Sequence, residues 1–385
     1  MTPTTEQELA EAVASATGPL RIQGGGTRDI GIPADGTVLS TSGLSGVSLY
    51  EPGAMTLVVQ AGTPMAEIDA LLAAQGQRLP FEPMDHRGLL GTTGTPTIGG
   101  VVAANVSGPR RIQVGAARDF ALGVRFVDGS GQVLKNGGRV MKNVTGYDLV
   151  KLMAGSWGTL GVLSQVSLKV GAIPEVEATL VARGLDAANG IAALSGALGS
   201  PFDITGAAHL GPDTGGDDSE TRIRFEGLAG AVAYRLGAMA DRLGGDWTVV
   251  EGAASSTLWQ QLRDVAPFAD ADIVWRLSVT PSSGPLISAM LAQNNLSHRA
   301  IFDWGGGLIW LAPDANALPD GGAKLIRAQM AALGGGHATL VKAPVTLRRE
   351  LSVFEPEPPA IAALTTALRH KFDPRGILNP GLMGA

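Results

Sequence analysis

The sequence predicts an α+β fold, and three of its features lead to this prediction. Residues 172–345 run through the order strand, helix, strand, strand, helix, strand and then repeat it, which is typical of an antiparallel sheet covered by helices. Residues 1–171 also mix strands and helices, joined by unusually glycine-rich segments. The length of 385 residues exceeds the size at which single cores stop growing, so two domains, or one domain with a large insertion, are expected.

The elements of the first part follow from the spacing of apolar residues. A helix is predicted over residues 4–17, a buried strand over 56–62, and a second helix from there to Gly76. The stretch "ALGVRFVDGSGQVL" alternates on both sides of the turn "DGSG", which predicts a hairpin. Residues 144–170 then predict a short helix, a glycine-punctuated loop and a long strand. We therefore place the first domain at residues 1–171.

The second part has a duplicated layout. Its first half consists of "ATLVARG", "LDAANGIAALSGAL", "FDITGAAHL", "TRIRFEG", "AGAVAYRLGAMADRL" and "DWTVVEG", in the order βαββαβ. The second half runs from "DIVWRLSV" to "HATLVKA", and a helix near "STLWQQLRDV" separates the halves. We expect a cap domain at residues 172–345 with one antiparallel sheet. The remaining segment, 346–385, starts rich in proline and contains a helix of about 14 residues.

The composition excludes several classes of function. The formal net charge is −6 and no basic run is present, which argues against nucleic acid as a partner. No segment reaches the about 18 apolar residues of a membrane helix, and the start "MTPTTEQELAE" lacks signal-peptide features, so we expect a cytoplasmic protein without direct membrane insertion. The absence of cysteine excludes disulfides, iron–sulfur clusters and a cysteinyl-linked cofactor. The five histidines show no metal-ligand spacing, so no metal site is expected.

Two glycine clusters predict a site for an extended anionic ligand. The first, "RIQGGGTRDIG" at 21–31, fits neither the dinucleotide fingerprint, which needs a glycine at Asp29, nor the P-loop. Successive bare N–H groups can nevertheless form a concave anion site. In the second cluster, 91–120, "IGGVVAAN" is predicted to be a short helix whose N-terminus favours a diphosphate. The alternative for both clusters is a set of ordinary tight turns.

Three segments together resemble a known family. They are "RIQGGGTRD", the long stretch from "TIGGVVAANVSGPRR" to "GSWGTLGVL", and the terminal "KFDPRGILNPG". Their combination in this order is similar to the two-part FAD-binding fold of the vanillyl-alcohol oxidase type, and within it to the FAD-binding accessory subunits of bacterial glycolate oxidases. The resemblance covers nearly all of residues 1–170 and the last 20 residues. The middle domain matches only in layout, as the cap that such flavoproteins carry.

The resemblance implies specific cofactor-binding residues. The first pyrophosphate loop would comprise Gln23, Gly24, Gly25, Gly26 and Thr27, and the second Gly99, Gly100, Ala104, Asn105 and Gly108. Gly161 and Val162 match backbone contacts on the adenine side, and Asn379 matches a position near the flavin, which would bring the segment 346–385 back to the first domain. The alternative for Asn379 is a turn residue before Pro380. A side chain at Gly25 is expected to occupy the space where the backbone approaches the pyrophosphate.

The departures from the family are as informative as the matches. Family members that link flavin covalently place histidine or cysteine in or near these loops, whereas Thr27 and Arg28 follow the first glycine run here. The FAD should therefore be noncovalent. The paired histidines of the catalytic 2-hydroxy-acid dehydrogenases are missing from the cap as well. Catalytic residues therefore stay unassigned.

Several polar residues have two interpretations each. Arg276, His298, Arg299 and His337 of the cap could supply a carboxylate-binding cation or a base for hydroxy-acid oxidation, or serve only the structure. Arg110 and Arg111 could reach a phosphate, although an exposed, solvated pair is the more common outcome. Lys142 and Asn143 are expected to hold their loop rather than to take part in chemistry.

Three functional hypotheses remain open. The first is an accessory FAD subunit that serves a catalytic flavoprotein subunit and an iron–sulfur subunit of one complex, and that meets the inner face of the membrane only through these partners. The second is a self-sufficient FAD-dependent dehydrogenase for an alcohol or a 2-hydroxy acid. The third is a structural subunit that kept the fold without the flavin.

Overall fold

The computed structural model of the chain describes residues 1–139, 146–214, 216, 218–314 and 318–384. By its internal contacts the chain divides into two units. Unit 1 comprises Met1–Ser107, Gly115–Ile173 and Pro356–Ala385, and unit 2 comprises Gly108–Val114 and Pro174–Glu355.

Unit 1 begins with helix α1 (Glu6–Ala14), which is capped by the Thr5 side chain accepting a hydrogen bond from the Glu8 N–H. The next elements are β1 (Leu20–Gln23), β2 (Thr37–Ser40), β3 (Val47–Glu51), β4 (Thr56–Gln60), α2 (Met65–Ala73), β5 (Gln77–Arg78), α3 (Arg87–Leu90) and α4 (Ile98–Ala103). After α5 (Arg111–Val114), which belongs to unit 2, follow α6 (Ala117–Phe120), β6 (Ala121–Val127), β7 (Val133–Gly137), α7 (Leu149–Met153), β8 (Val162–Lys169) and β9 (Gly171–Ala172).

The main sheet of unit 1 has five antiparallel strands in the order β3-β4-β8-β6-β7. The predicted hairpin of β6 and β7 is present, and the Asp128 carboxylate closes its turn by accepting hydrogen bonds from the N–H groups of Ser130 and Gln132. Strands β1 and β2 form a separate parallel pair. A core between α1, these strands and the C-terminal segment contains Leu9, Val13, Leu20, Leu39, Val127, Val162, Ile377 and Leu378.

The C-terminal part of unit 1 contains α14 (Pro359–Phe372) and then an extended segment that pairs with β1. The Leu20 N–H donates to the Ile377 carbonyl at 2.7 Å, and the Asn379 N–H donates to the Leu20 carbonyl at 3.0 Å. These hydrogen bonds hold the C-terminal segment beside β1, next to the loop that follows this strand.

Unit 2 has the predicted duplicated architecture. Its first half consists of β10 (Val176–Arg183), α8 (Ala187–Leu198), β11 (Gly206–Leu210), β12 (Glu220–Gly227), α9 (Ala229–Leu243) and β13 (Thr248–Glu251). Helix α10 (Gly252–Arg263) leads to the second half, β14 (Val274–Ser278), α11 (Gly284–Gln293), β15 (His298–Asp303), β16 (Leu308–Pro313), α12 (Ala323–Ala332) and β17 (His337–Lys342), followed by α13 (Val345–Glu350). The predicted α+β fold is confirmed.

One antiparallel sheet joins the two halves of unit 2. Its eight strands lie in the order β13-β10-β12-β11-β15-β16-β14-β17, and the halves meet at β11 and β15. From either edge, each half has its fourth strand outermost, then its first, third and second. The repeated sequence order therefore corresponds to a repeated strand order in space.

Two stretches lie in unit 2 although the sequence suggested other domains for them. Residues 108–114 interrupt unit 1, because a buried ion pair and a tryptophan hydrogen bond described below hold them against unit 2. Residues 346–355 also stay in unit 2, since the Leu340 N–H of β17 donates to the Val353 carbonyl at 2.8 Å. The return to unit 1 accordingly begins at Pro356 rather than at residue 346.

Candidate functional site

A cleft in unit 1 lies where the loop after β1, helix α4, the residues around the start of β8 and the C-terminal segment meet. It has about 1010 Å³ of free space, part of which is open to solvent. Its walls include all but two of the residues predicted to bind a cofactor, namely Gln23, Gly24, Gly25, Gly26, Thr27, Gly99, Gly100, Ala104, Gly161, Val162 and Asn379. Both glycine clusters thus border one cavity.

The two other predicted residues, Asn105 and Gly108, do not line this cavity. Asn105 has a left-handed backbone (φ 49°) just after α4, and its side-chain oxygen accepts a hydrogen bond from the Arg118 N–H at 3.0 Å. Gly108 belongs to unit 2, where its carbonyl accepts a hydrogen bond from the Trp304 indole N–H at 3.1 Å. The structure therefore shows local backbone roles for both residues.

The glycines of the first loop let two stretches of backbone touch. A Cβ atom added to Gly25 would lie 1.6 Å from the Thr95 carbonyl oxygen, and one added to Gly94 would lie 1.8 Å from the Gly25 carbonyl oxygen. A Cβ on Gly24 would lie 2.3 Å from the Thr97 hydroxyl. The missing side chain of Gly25 thus makes room for the neighbouring loop, and its close approach to a pyrophosphate stays a prediction.

The backbone N–H groups of residues 24–28 lie in the loop after β1 that borders the cleft. Within the described ranges, no protein acceptor is hydrogen-bonded to any of these N–H groups. Gly26 has a left-handed conformation (φ 72°), which successive N–H groups need in order to converge on one anion. Because unpaired backbone donors are rare in folded proteins, this loop is suited to phosphate oxygens.

The N-terminus of α4 does not offer such donors. The Ile98 N–H donates to the Thr63 carbonyl at 3.1 Å, and the Gly99 N–H donates to the Ala61 carbonyl at 2.7 Å. The Gly100 N–H donates to the Thr97 side-chain oxygen at 3.4 Å. The first donors of the helix therefore already have acceptors within the protein, and the assignment of Gly99 and Gly100, which line the cavity, to a diphosphate stays a prediction.

Arg28 adds a positive charge to the same cleft, which the sequence analysis missed. Its side chain is half-buried, and its Nε donates to Nδ1 of the buried His86 at 3.2 Å. Its Nη1 lies 3.1 Å from where a Cβ of Gly100 would be, so this glycine leaves room for the guanidinium. Burial lowers the pKa of Arg28 to about 10, and the charge persists at neutral pH. The sequence signal is a basic residue two positions after the glycine run.

Asn379 links the C-terminal segment to the cleft through its side-chain amide. Its Oδ1 accepts a hydrogen bond from the Ile22 N–H at 2.7 Å, and its Nδ2 donates to the Trp157 carbonyl at 2.8 Å. The backbone is left-handed (φ 44°), as in a turn. Asn379 lines the cavity, but its amide is engaged by the protein backbone.

The two cap histidines considered as candidate bases, His298 and His337, occupy structural and surface positions. The His298 Nε2 lies 2.7 Å from the Ser288 hydroxyl, and its Nδ1 lies 2.8 Å from the Leu296 carbonyl oxygen. Burial lowers the pKa of His298, so the ring is neutral at physiological pH. His337 is exposed at the start of β17.

The two cap arginines considered as carboxylate-binding candidates, Arg276 and Arg299, differ from each other. Arg299 donates to the Asp270 carboxylate at 2.9 Å and to the Pro267 carbonyl at 3.1 Å. Arg276 is half-buried on β14, and its guanidinium carbon lies 5.2 Å from the centroid of the Trp304 ring. Arg299 is therefore held by its own partners, whereas Arg276 stacks on an aromatic ring.

Of the arginine pair after Pro109, Arg110 is buried and Arg111 is half-buried. Arg110 is buried and forms an ion pair with the buried Glu226. The guanidinium carbon of Arg111 lies 4.6 Å from the centroid of the Trp304 ring. The expectation of an exposed pair is wrong because the opposing charge at Glu226 is distant in sequence. Lys142 and Asn143 lie outside the described residues.

Comparison with known proteins gives a family and a fold. Residues 1–137 match the family described as FAD binding domain, which confirms the prediction of an FAD-binding domain. The chain is 34% identical over 385 residues to the glycolate oxidase subunit GlcE of Escherichia coli (strain K12), covering 98% of this chain and 96% of that protein. It is 32% identical over 128 residues to the glycolate oxidase subunit GlcD of Bacillus subtilis (strain 168), covering 33% of this chain and 26% of that protein.

The fold is also found in a solved structure. An alkyldihydroxyacetonephosphate synthase superposes with a TM-score of 0.71 at 18% identity, covering 99% of this chain and 76% of that chain. This likeness shows that unit 1 and unit 2 each have a counterpart of the same fold in that synthase.

Among the described helices, none combines the length and apolar character needed to cross a bilayer.

Proposed function

Because the chain belongs to the family of the glycolate oxidase subunit GlcE, we propose that it is the FAD-binding subunit of a multi-subunit glycolate oxidase, which oxidises glycolate and related 2-hydroxy acids to 2-oxo acids. One observation carries this proposal: the likeness to GlcE extends over 98% of the chain. It therefore includes unit 2 as well as the FAD-binding domain.

Unit 1 holds the FAD noncovalently in this proposal. The N–H groups of residues 24–28 and the Arg28 guanidinium bind the diphosphate, because together they are a set of unpaired donors beside a positive charge. Gly161 and Val162 border the same cavity and are assigned to the adenine side. Neither Thr27 nor Arg28 provides the nucleophilic ring nitrogen or thiol of the covalent family members. FAD, when bound, supplies the acceptor for the electrons of the substrate.

The proposal includes two partners, a catalytic flavoprotein subunit and an iron–sulfur subunit. The chain has no cysteine and supplies no thiolate ligand for a cluster. In unit 2, His298 is hydrogen-bonded through both ring nitrogens and His337 is exposed, so neither is positioned as a base for a hydroxyl proton. Any attachment to a membrane would come through these partners.

The isolated chain should hold FAD but not reduce it with glycolate. A missing positioned base typically costs about 10²- to 10⁴-fold in rate, so the flavin absorbance should persist under anaerobic glycolate. The complex obtained by co-expression with the neighbouring subunits should lose this absorbance rapidly. Rapid bleaching of the chain alone would instead favour the self-sufficient dehydrogenase. A chain purified without flavin, and unable to take it up, would favour the structural subunit.

Replacing Arg28 by glutamine should weaken FAD binding by about 10- to 100-fold, the equivalent of one charge-assisted hydrogen bond. Lysine should restore part of the affinity, because it keeps the charge but loses the bond from Nε to His86. The dissociation constant is measured by titrating apoprotein and following the quenching of FAD fluorescence. Arg21→Gln is the matched control, since Arg21 borders the same cavity but is about half exposed and lies 3.7 Å from Asp29. Equal losses for Arg21 and Arg28 would argue against a specific role.

A further inference from the structure

Unit 2 contains a half-buried arginine, Arg276, whose charge Asp303 compensates only in part. Arg276 lies in the interior of the eight-stranded sheet, on β14, and its neighbours across the strands are Trp310 and Thr339. Its side chain is half-buried. In the part of the chain that the structure describes, its guanidinium has no hydrogen bond and no ion pair. Buried guanidinium groups normally have such partners, so the site is incomplete as it stands.

A second arginine shares the same aromatic ring. The guanidinium carbons of Arg111 and Arg276 lie 4.6 Å and 5.2 Å from the centroid of the Trp304 indole. Two positively charged guanidinium groups therefore lie close to the same indole ring. Each gains a cation–π contact, but the two also repel each other.

The backbone that carries Trp304 is held in an unusual conformation. Trp304 has a positive φ of 52°, which is rare for a bulky residue, and the next residue, Gly305, has a φ of 65°. The Asp303 carboxylate accepts the Trp304 N–H at 2.7 Å, and the indole N–H donates to the Gly108 carbonyl at 3.1 Å. Such conformations persist where surrounding contacts enforce them, often at ligand sites. The Trp304 residue is thus fixed at both ends, by its backbone N–H and by its indole N–H.

The electrostatics of the cluster favour an added negative charge. Burial and the neighbouring Arg111 charge together lower the pKa of Arg276 to about 10, although the Asp303 carboxylate partly opposes this shift. Arg276 is thus still cationic at neutral pH. An anion between the guanidinium groups would replace lost hydration and remove the repulsion.

We propose that Arg276 and Arg111, arranged around the Trp304 ring, form a binding site for a small organic carboxylate. The planar guanidinium fork matches the two oxygens of a carboxylate, and the indole provides an apolar surface for the short carbon chain. The choice of a 2-hydroxy acid or its 2-oxo product as the occupant rests on the proposed function. The site would give unit 2 a direct role in recognising the acid.

The test uses the purified, FAD-loaded chain titrated with glycolate and glyoxylate. Trp304 is one of five tryptophans in unit 2, with Trp157 alone in unit 1, so tryptophan fluorescence and calorimetry both report on this region. Wild-type protein should bind both acids saturably. Arg276→Gln should weaken binding by about tenfold or more, and Arg276→Lys by less, because the charge is kept and the fork is lost. Trp304→Phe should remove most of the fluorescence change while the calorimetric signal persists.

Arg299→Gln is the matched control, since Arg299 lies in the same sheet but is paired with Asp270. It should leave the affinity for the acids within about twofold. Unchanged binding in Arg276→Gln, or inorganic phosphate binding more tightly than the carboxylates, would overturn the proposal. The FAD content and the co-purification with partner subunits are read in the same preparations. A chain that keeps FAD and partners but binds no acid therefore overturns only the carboxylate site, whereas loss of FAD and partners overturns the proposed function.

Discussion

Replacing Gly25 by alanine is expected to abolish FAD binding. The new Cβ would lie 1.6 Å from the Thr95 carbonyl oxygen and 2.6 Å from the Thr95 carbonyl carbon. Both atoms are backbone, so the overlap cannot be relieved by a side-chain rotation. The two glycine loops must separate, and this displaces the N–H groups of residues 24–28 from their common cleft. Overpacking typically costs about 1–3 kcal/mol, and a clash between two backbone segments belongs at the upper end of this range, so we expect FAD affinity to fall by about a hundredfold.

The measurement is the FAD content of the purified variant, read from the supernatant absorbance after acid precipitation. Noncovalent flavin stays in solution in this procedure, whereas covalently linked flavin would stay with the pellet. Gly88→Ala is the matched control: Gly88 lies in α3 of the same unit, and an added Cβ there meets nothing within 4 Å. Circular dichroism of both variants separates loss of the cleft from loss of the fold. Full FAD occupancy in a folded Gly25→Ala protein would show that the loop does not bind the cofactor.

The duplicated cap could be predicted because its signal is local and repeated. Each strand and helix of unit 2 carries its own apolar period, and the same order of elements occurs twice, so errors in one half are checked by the other. The glycine loops could also be located, since consecutive glycines have few other uses. The order of strands in the sheet follows from how the halves pair through β11 and β15, which no local pattern encodes.

The donors of the cleft could not be predicted from the sequence. The α4 N-terminus was assigned the diphosphate because an isolated helix has free N–H groups at its start. In the structure, the Ala61 and Thr63 carbonyls occupy these donors, and nothing in "IGGVVAAN" indicates these partners. Arg28 was missed for a related reason, since its role depends on His86 and Gly100, which are far from it in sequence. Tertiary contacts decide which polar groups remain available.

Arg110 also lies in unit 2 because of tertiary contacts that the sequence does not reveal. These contacts predict a large effect of substitutions on the free energy of unfolding. Arg110 and Glu226 have side-chain exposures of 4% and 3%, so their ion pair is buried. Arg224, 1% exposed, lies with its Nε 3.6 Å from the second carboxylate oxygen of Glu226. One carboxylate therefore compensates two buried guanidinium groups. The cluster joins residues 108–114 to β12.

Glu226→Gln should be among the most destabilising isosteric changes in unit 2. It removes the carboxylate charge that faces both buried guanidinium groups, and loss of one partner of a buried ion pair typically costs about 3–5 kcal/mol. Arg110→Met should cost less than half as much, because Glu226 and Arg224 then remain as a neutral pair. This asymmetry distinguishes a shared counterion from an ordinary two-residue ion pair, for which both substitutions would cost about the same.

Urea unfolding followed by tryptophan fluorescence measures the effect in the right unit, because five of the six tryptophans lie in unit 2. Glu251→Gln is the control, since Glu251 ends β13 of the same sheet but is exposed, and its replacement should change the stability by less than about 0.5 kcal/mol. Equal losses for Glu226→Gln and Arg110→Met would contradict the shared-counterion arrangement. If Glu226→Gln is destabilised as expected, hydrogen exchange should also increase in residues 108–114, because those residues reach unit 2 through the Arg110 guanidinium. The same segment carries Arg111, so the buried cluster also fixes one side of the aromatic site around Trp304.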